Sequence, residues 1–245
     1  MKSNPVLHAA SALSLLFCLL PAHADPHYAR ASASLTNITV AWDDLDYEDG
    51  VTAGVWLSTF PESLSRGSGR RDGMWQSDWQ TDRFDQLDMV FGYGEIHNAV
   101  EPRALSSSVS ATLPDSLLIG TTSLSYSYYA TQNTMVRFTA DAFSDIAHSG
   151  VGGGRTEIVM NMYMYGQLRS TSRLASDGGV LSEQFFGSNY TFSEGYGEVQ
   201  FLIETTAATE LLPIPEPHSY AMMLAGFAVL GGVARRRKPA GLPAA

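Results

Sequence analysis

Five acidic side chains, Asp43, Asp44, Asp46, Glu48 and Asp49, crowd into one short stretch. Hard divalent cations are held by several such oxygens converging from a loop. Counted from Asp44, positions one, three and five are acidic, as a calcium loop requires. Position six is Asp49 where an EF-hand needs Gly for its sharp turn, and position twelve is Val55 where it needs a bidentate Glu. The EF-hand pattern therefore fails. A solvated turn is expected here, and a calcium loop of another type using Asp44, Asp46 and Glu48 is the alternative. Calcium is the only cofactor suggested, and none is required. Trp75 and Trp79, four residues apart in the polar, Gly-containing stretch 66–84, are the second candidate. In an exposed loop they can stack on the apolar C–H faces of sugars. They can equally plug one end of a folded domain, which is the arrangement expected.

Catalytic patterns are thin. There is no H-E-x-x-H and no G-x-S-x-G, and Gly152-Gly153-Gly154 lacks the Lys-Ser/Thr of a phosphate loop. Glycoside hydrolysis needs two carboxylates at a set separation across a cleft, and the sequence singles out no pair. The single cysteine, Cys18, lies in the amino-terminal apolar segment. Beyond residue 24 there is thus no thiolate nucleophile, no Cys-ligated zinc and no internal disulfide. No enzyme is expected, and a surface hydrolase acting on polysaccharide is kept as an alternative.

The amino terminus reads as a signal peptide over 1–24. Lys2 supplies the positive charge, Ala9 to Leu20 the short apolar region, and Ala22-His23-Ala24 the cleavage site for signal peptidase before Asp25. Residues 25–212 then hold enough chain for one domain. Setting aside Lys2, Glu216 and the four cations of the tail leaves 24 acids against 10 bases there, a net charge of −14. Such a surface repels nucleic acid and anionic lipid.

The domain alternates with period two, the signature of half-buried strands. Ile38, Val40 and Trp42 share one face; so do Val51, Ala53, Val55 and Leu57. Leu118, Thr122, Leu124, Tyr126 and Tyr128 mark a long strand, followed by Val136, Phe138, Ala140 and Ala142. Strands are predicted near 35–42, 51–60, 118–130, 134–143, 156–167 and 197–205, with a further candidate at 87–93. Val180 to Phe186 completes the set. Ile158, Met160, Met162 and Met164 oppose Val159, Tyr163 and Tyr165, which suggests burial on both sides. Breakers are placed at 150–154, 177–179 and 187–189. Val40, Val55, Leu124, Phe138, Met160 and Phe201 are the expected core. With no long helical period, the fold class is all-β, an antiparallel β-sandwich of jelly-roll-like type.

The tail has three parts. Pro215-Glu216-Pro217 is stiff, because proline lacks an amide donor and biases its predecessor towards extended backbone. Tyr220 to Ala234 is an uncharged apolar run of roughly 22 Å as a helix, short of the ~30 Å hydrocarbon core, and flanking side chains can snorkel across part of the gap. Arg235, Arg236, Arg237 and Lys238 then favour the cytoplasmic side and stop transfer. Residues 239–245 form a short extension.

Taken together, Pro215-Glu216-Pro217, the run Ser219 to Gly231 and Arg235 to Lys238 resemble a PEP-CTERM sorting signal, spanning 213–238. Residues 33–37, 44–51 and 133–140 more loosely resemble segments of β-proteins bearing that signal. The resemblance implies an exosortase that recognises the tail and processes it near Pro-Glu-Pro, a precursor anchored in the inner membrane with its domain periplasmic, and a Gram-negative host making extracellular polysaccharide. It implies a structural or interaction role at the cell surface or in the biofilm matrix, with extracellular polysaccharide as the partner. A carbohydrate-binding module using Trp75 and Trp79 is the alternative.

Overall fold

A computed structural model describes residues 28–58, 61–81, 84–149 and 152–209. The cleavage site Ala22, Ala24 and Asp25, the expected flanking helices, the motif Pro215, Glu216 and Pro217 and the basic stop lie outside these residues. Every described element is a strand. In chain order they are β1 (Tyr28–Asp44), β2 (Val55–Leu57), β3 (Glu62–Arg71), β4 (Met74–Thr81), β5 (Gln86–Phe91), β6 (Gly94–Glu101), β7 (Ala104–Ala111), β8 (Ser116–Ala130), β9 (Thr134–Ser149), β10 (Gly152–Met164), β11 (Gln167–Ser176), β12 (Gly179–Thr191) and β13 (Gly195–Thr209). Two antiparallel sheets pack face to face as a sandwich. One runs β12-β9-β1-β7-β6-β5; the other runs β11-β10-β13-β8-β3-β4, with β2 also paired to β8.

Alternation builds the interior. Even positions of β8 from Ser116 to Ala130 and odd positions of β13 from Gly195 to Thr209 point inward. The inner face of β10 is Thr156, Ile158, Met160, Met162 and Met164; Val159 and Tyr163 opposite are only half-buried, so this strand has one buried face. Leu124, Phe138, Met160 and Phe201 are core residues, whereas Val40 and Val55 are partly buried against the same cluster. β13 is central, laddered to β8 on one side and β10 on the other along nearly its whole length.

In β1 the inward parity changes midway. Ala29, Ala31, Ala33 and Leu35 face in, and then Ile38 and Val40 do. The register with β9 slips between Thr36 and Thr39, so two residues of β1 oppose one of β9, with Asn37 in the left-handed region at φ 53°. This is a β-bulge, and Asn tolerates that backbone better than most residues. Past it, Trp42 keeps the face of Ile38 and Val40, opposite Val136, but lies near the end of the strand and is exposed.

A band of polar side chains crosses the core and splits it into two apolar clusters. Ser107 donates to Asn98 Oδ1 at 2.7 Å, and its hydroxyl is hydrogen-bonded to that of Thr205 at 2.6 Å. Asn98 Nδ2 donates to the Arg66 carbonyl at 2.8 Å. On the neighbouring strands Ser144 and Thr156 are hydrogen-bonded at 2.6 Å. Gly120 lies against this band: a Cβ there would sit 2.5 Å from Ser107 Oγ and 2.9 Å from Asn98 Oδ1. Each group left unpaired would cost about 1–3 kcal/mol in such a site, so the band stands only because its members satisfy one another.

Several expected boundaries move. Val51 and Ala53 are loop, and only Val55–Leu57 forms a strand, because turns closed by Asp44, Asp46 and Asp49 occupy the residues before it. Gly187, Ser188 and Asn189 continue β12, and Gly152 to Gly154 open β10, since ladders on neighbouring strands hold them extended. The stretch 66–84 is largely a hairpin, β3–β4.

Candidate functional site

The β3–β4 hairpin begins from its turn. Asp72 and Gly73 both take positive φ, 49° and 77°, the geometry of a two-residue turn whose twist matches its strands. This fixes the register: Arg66 lies opposite Trp79, Ser68 opposite Ser77, and Arg70 opposite Trp75. Ser63, Ser65, Gly67 and Gly69 face inward. A Cβ on Gly67 would meet Met89 Sδ at 2.4 Å, and one on Gly69 would meet Leu118 Cδ2 at 2.7 Å, so the inner face of β3 has no room for larger side chains. The bulky residues of the hairpin are thereby committed to the outer face.

Trp75 and Trp79 are therefore not a plug in the core. They stand on the outer face of an edge strand, 54% and 62% exposed. Their Cα atoms are about 13–14 Å apart, four strand rises. The Arg70 guanidinium lies over the Trp75 ring, 5.6 Å from its centroid, within reach of a cation–π attraction. Beside the Trp75 ring, Ser68 and Ser77 line an open groove of about 480 Å³ that continues to Ile119 and Thr121, with Arg66 and Glu204 on its walls. Elsewhere on this sheet face arginine is neutralised: Glu157 receives Arg173 at 2.9 Å and Arg155 at 3.5 Å. Among the described residues, neither Arg66 nor Arg70 has a carboxylate within 4.0 Å.

The acidic stretch is spent on its own loop. Asp44 Oδ1 accepts the Asp46 amide at 3.0 Å, Asp46 Oδ1 the Glu48 amide at 3.2 Å, and Asp49 Oδ1 the Val51 amide at 2.7 Å. Asn133 Nδ2 donates to the other Asp49 oxygen at 2.8 Å, tying the loop to the β8–β9 turn. The Val51 amide above all, with Asn133 and Gln132, holds the Asp49 carboxyl below its usual range. Asp44, Asp46 and Glu48 are brought into one loop, and among the described residues no three His, Cys, Asp or Glu side chains are grouped as metal ligands.

The tyrosines divide by parity. Tyr126 and Tyr128 point into the core, while Tyr129 lies outside with Trp56 and Tyr196 at ring separations of 5.8 and 5.1 Å. Tyr129 donates to Glu194 at 2.6 Å, and that carboxylate pushes its phenol up to about 12. Tyr165, Tyr190, Phe192 and Tyr196 are exposed at the same end of the sandwich. A second cleft, about 530 Å³, opens between the sheets beside Ile38, Val40, Leu57, Tyr126 and Phe138; Arg103 and Tyr126 are its ionisable groups, and no carboxylate is among its described lining residues.

The hairpin face was missed by hydrophobic alternation, because its inward positions are Ser and Gly. Asp72-Gly73 was the signal that could have found it.

Residues 213–238 match the family model of the PEP-CTERM protein-sorting motif. No curated protein and no solved structure matches the chain. The motif implies an exosortase as processing partner, and with it an exported protein whose precursor is secreted, membrane-anchored and sorted to the cell surface.

Proposed function

We propose that this chain is a non-enzymatic structural or interaction protein of the exopolysaccharide or biofilm matrix. Signal peptidase would release residues 1–24, and the basic stop at Arg235 to Lys238 would hold the precursor in the inner membrane with its β-sandwich periplasmic. An exosortase would then act near Pro215-Glu216-Pro217 and deliver the domain to the surface or matrix. The match of 213–238 to the sorting motif carries this proposal. No cofactor is needed for it. A surface hydrolase acting on polysaccharide, which would need two carboxylates facing one another across a cleft, is the further alternative.

The test is fractionation with terminal mass spectrometry in hosts with and without the cognate exosortase. Wild type should reach the matrix with a trimmed carboxy terminus only when the exosortase is present, and Pro217→Ala should stay in the inner membrane. Equal delivery of both would end the sorting proposal. A carbohydrate-binding module is the second reading, favoured by the exposure of Trp75 and Trp79 on one face.

A further inference from the structure

We infer that the outer face of the β3–β4 hairpin binds an acidic polysaccharide, with Trp75 and Trp79 stacking on sugar rings and Arg66 and Arg70 taking its anionic groups. The proposed function is used here only for the domain's address outside the cell.

The register puts each tryptophan directly across from an arginine, Trp79 from Arg66 and Trp75 from Arg70, with a serine pair between them. The negative face of an indole attracts the C–H face of a pyranose, and its broad ring gives a stiff contact at little entropic cost. The two tryptophans project from Cα atoms about 13–14 Å apart, a span bridged by an oligosaccharide and not by a single sugar. The floor of Ser68, Ser77 and Thr121 keeps the groove shallow and offers hydroxyls to a chain lying along it.

Charge selects the class of chain. The 25–212 segment carries 24 acids and 10 bases, so a densely charged polyanion such as nucleic acid is repelled by the surface as a whole. Against that background, two guanidiniums with no carboxylate within 4.0 Å among the described residues mark a local site for anions, and Arg presents a planar fork suited to carboxylate or sulfate. Glu204 on the groove wall adds repulsion against continuous negative charge. A sugar polymer with spaced acidic groups meets all three conditions: apolar ring faces, anions at intervals, and low charge density. β4 pairs only with β3, so no neighbouring described strand covers this edge.

The experiment uses the full-length chain in neutral detergent micelles, titrated by calorimetry with polygalacturonate, dextran and a single-stranded oligothymidylate at low and moderate salt. Polygalacturonate should bind most tightly and weaken as salt rises. Trp75→Ala/Trp79→Ala should weaken it at least about tenfold, since both stacking faces are lost. Arg66→Gln/Arg70→Gln should remove the preference over dextran and flatten the salt dependence, leaving weak, salt-insensitive binding. All variants should keep the wild-type melting transition, because the altered side chains are exposed. The inference is overturned if wild type binds none of the probes, if dextran binds as well as polygalacturonate, or if the oligothymidylate binds best. It is overturned too if the double tryptophan variant binds as wild type does, or if its only effect is to dissociate a dimer seen by sedimentation, which would make the β4 edge a self-association surface. Matrix delivery is read separately by fractionation, so a protein that is sorted but binds no polysaccharide refutes this site and leaves the proposed function standing.

Discussion

Strand β3 separates two polar regions that obey opposite rules. Beneath it, Asn98, Ser107 and Thr205 form a closed set in which each hydrogen-bonding group is spent on another. Above it, Arg66, Arg70, Trp75 and Trp79 stand in solvent, Arg70 over the Trp75 ring, and among the described residues neither arginine has a carboxylate within 4.0 Å. Arg66 belongs to both: its carbonyl accepts from Asn98 inside while its guanidinium lies on the groove wall outside. The inner region holds the sheet in register and has nothing left to offer a ligand. The outer region contributes little to stability and keeps its bonding capacity for a partner.

The largest effect should come from the apolar core that the band divides. Phe138 is 1% exposed and its ring meets Tyr128 and Phe201, so Phe138→Ala should lower unfolding free energy by about 3–5 kcal/mol in a denaturant titration. Next is the band itself. In Gly120→Ala the new methyl collides with Ser107 and Asn98, at an expected ~1–3 kcal/mol. Asn98→Ala should cost about the same, by removing the side-chain donor to the Arg66 carbonyl and one of the two partners of the Ser107 hydroxyl; it is the variant most able to break the separation, since it also loosens the backbone under Arg66. If it abolished polysaccharide binding while remaining folded, the two regions would be coupled.

Smaller effects belong to the outer faces. His97 sits between Asp88 at 2.8 Å and Glu95 at 3.5 Å. The Asp88 hydrogen bond, helped by Glu95 against partial burial, raises its pKa above the ordinary 6.5. A raised folded value means the contribution is complete below pH 6.5 and is lost as pH rises through the folded value. The pair is half exposed, so screening keeps this under about 1 kcal/mol, and His97→Gln should remove that pH dependence from the melting curve. The smallest stability change, within about 0.5 kcal/mol, is expected for Trp75→Ala/Trp79→Ala. A loss above 2 kcal/mol would show the rings to be structural and erase the contrast.

Sequence patterning exposed the parts of the fold where apolar residues fill alternate positions. Leu124, Phe138, Met160 and Phe201 are core residues on β8, β9, β10 and β13, the strands with uninterrupted alternation. β3 and β7 were invisible for the opposite reason. Ser63, Ser65 and Ser107 occupy buried positions as hydrogen-bonding or small side chains, and a hydrophobic count scores them as loop. In β1 the bulge at Asn37 inverts parity, so a pattern started from Ile38 extends forward to Trp42 but cannot be extended back to Leu35. Trp75 and Trp79 were recognised as candidates, but their side of the sheet depends on the register imposed by Asp72-Gly73, which is a property of the turn and not of the tryptophans. The tail was legible because its motif is read as a linear string.

The central place of β13 has a mechanical consequence. This strand is the last described element before the sorting segment, and it is laddered on both sides from Gly197 to Thr209. Its hydrogen bonds run perpendicular to the strand. A pull applied at Thr209 along the strand direction therefore loads both ladders in shear, so that many bonds must fail together instead of opening one at a time as they would at an edge. A domain held by its carboxy terminus would resist drag at the strand best able to bear tension.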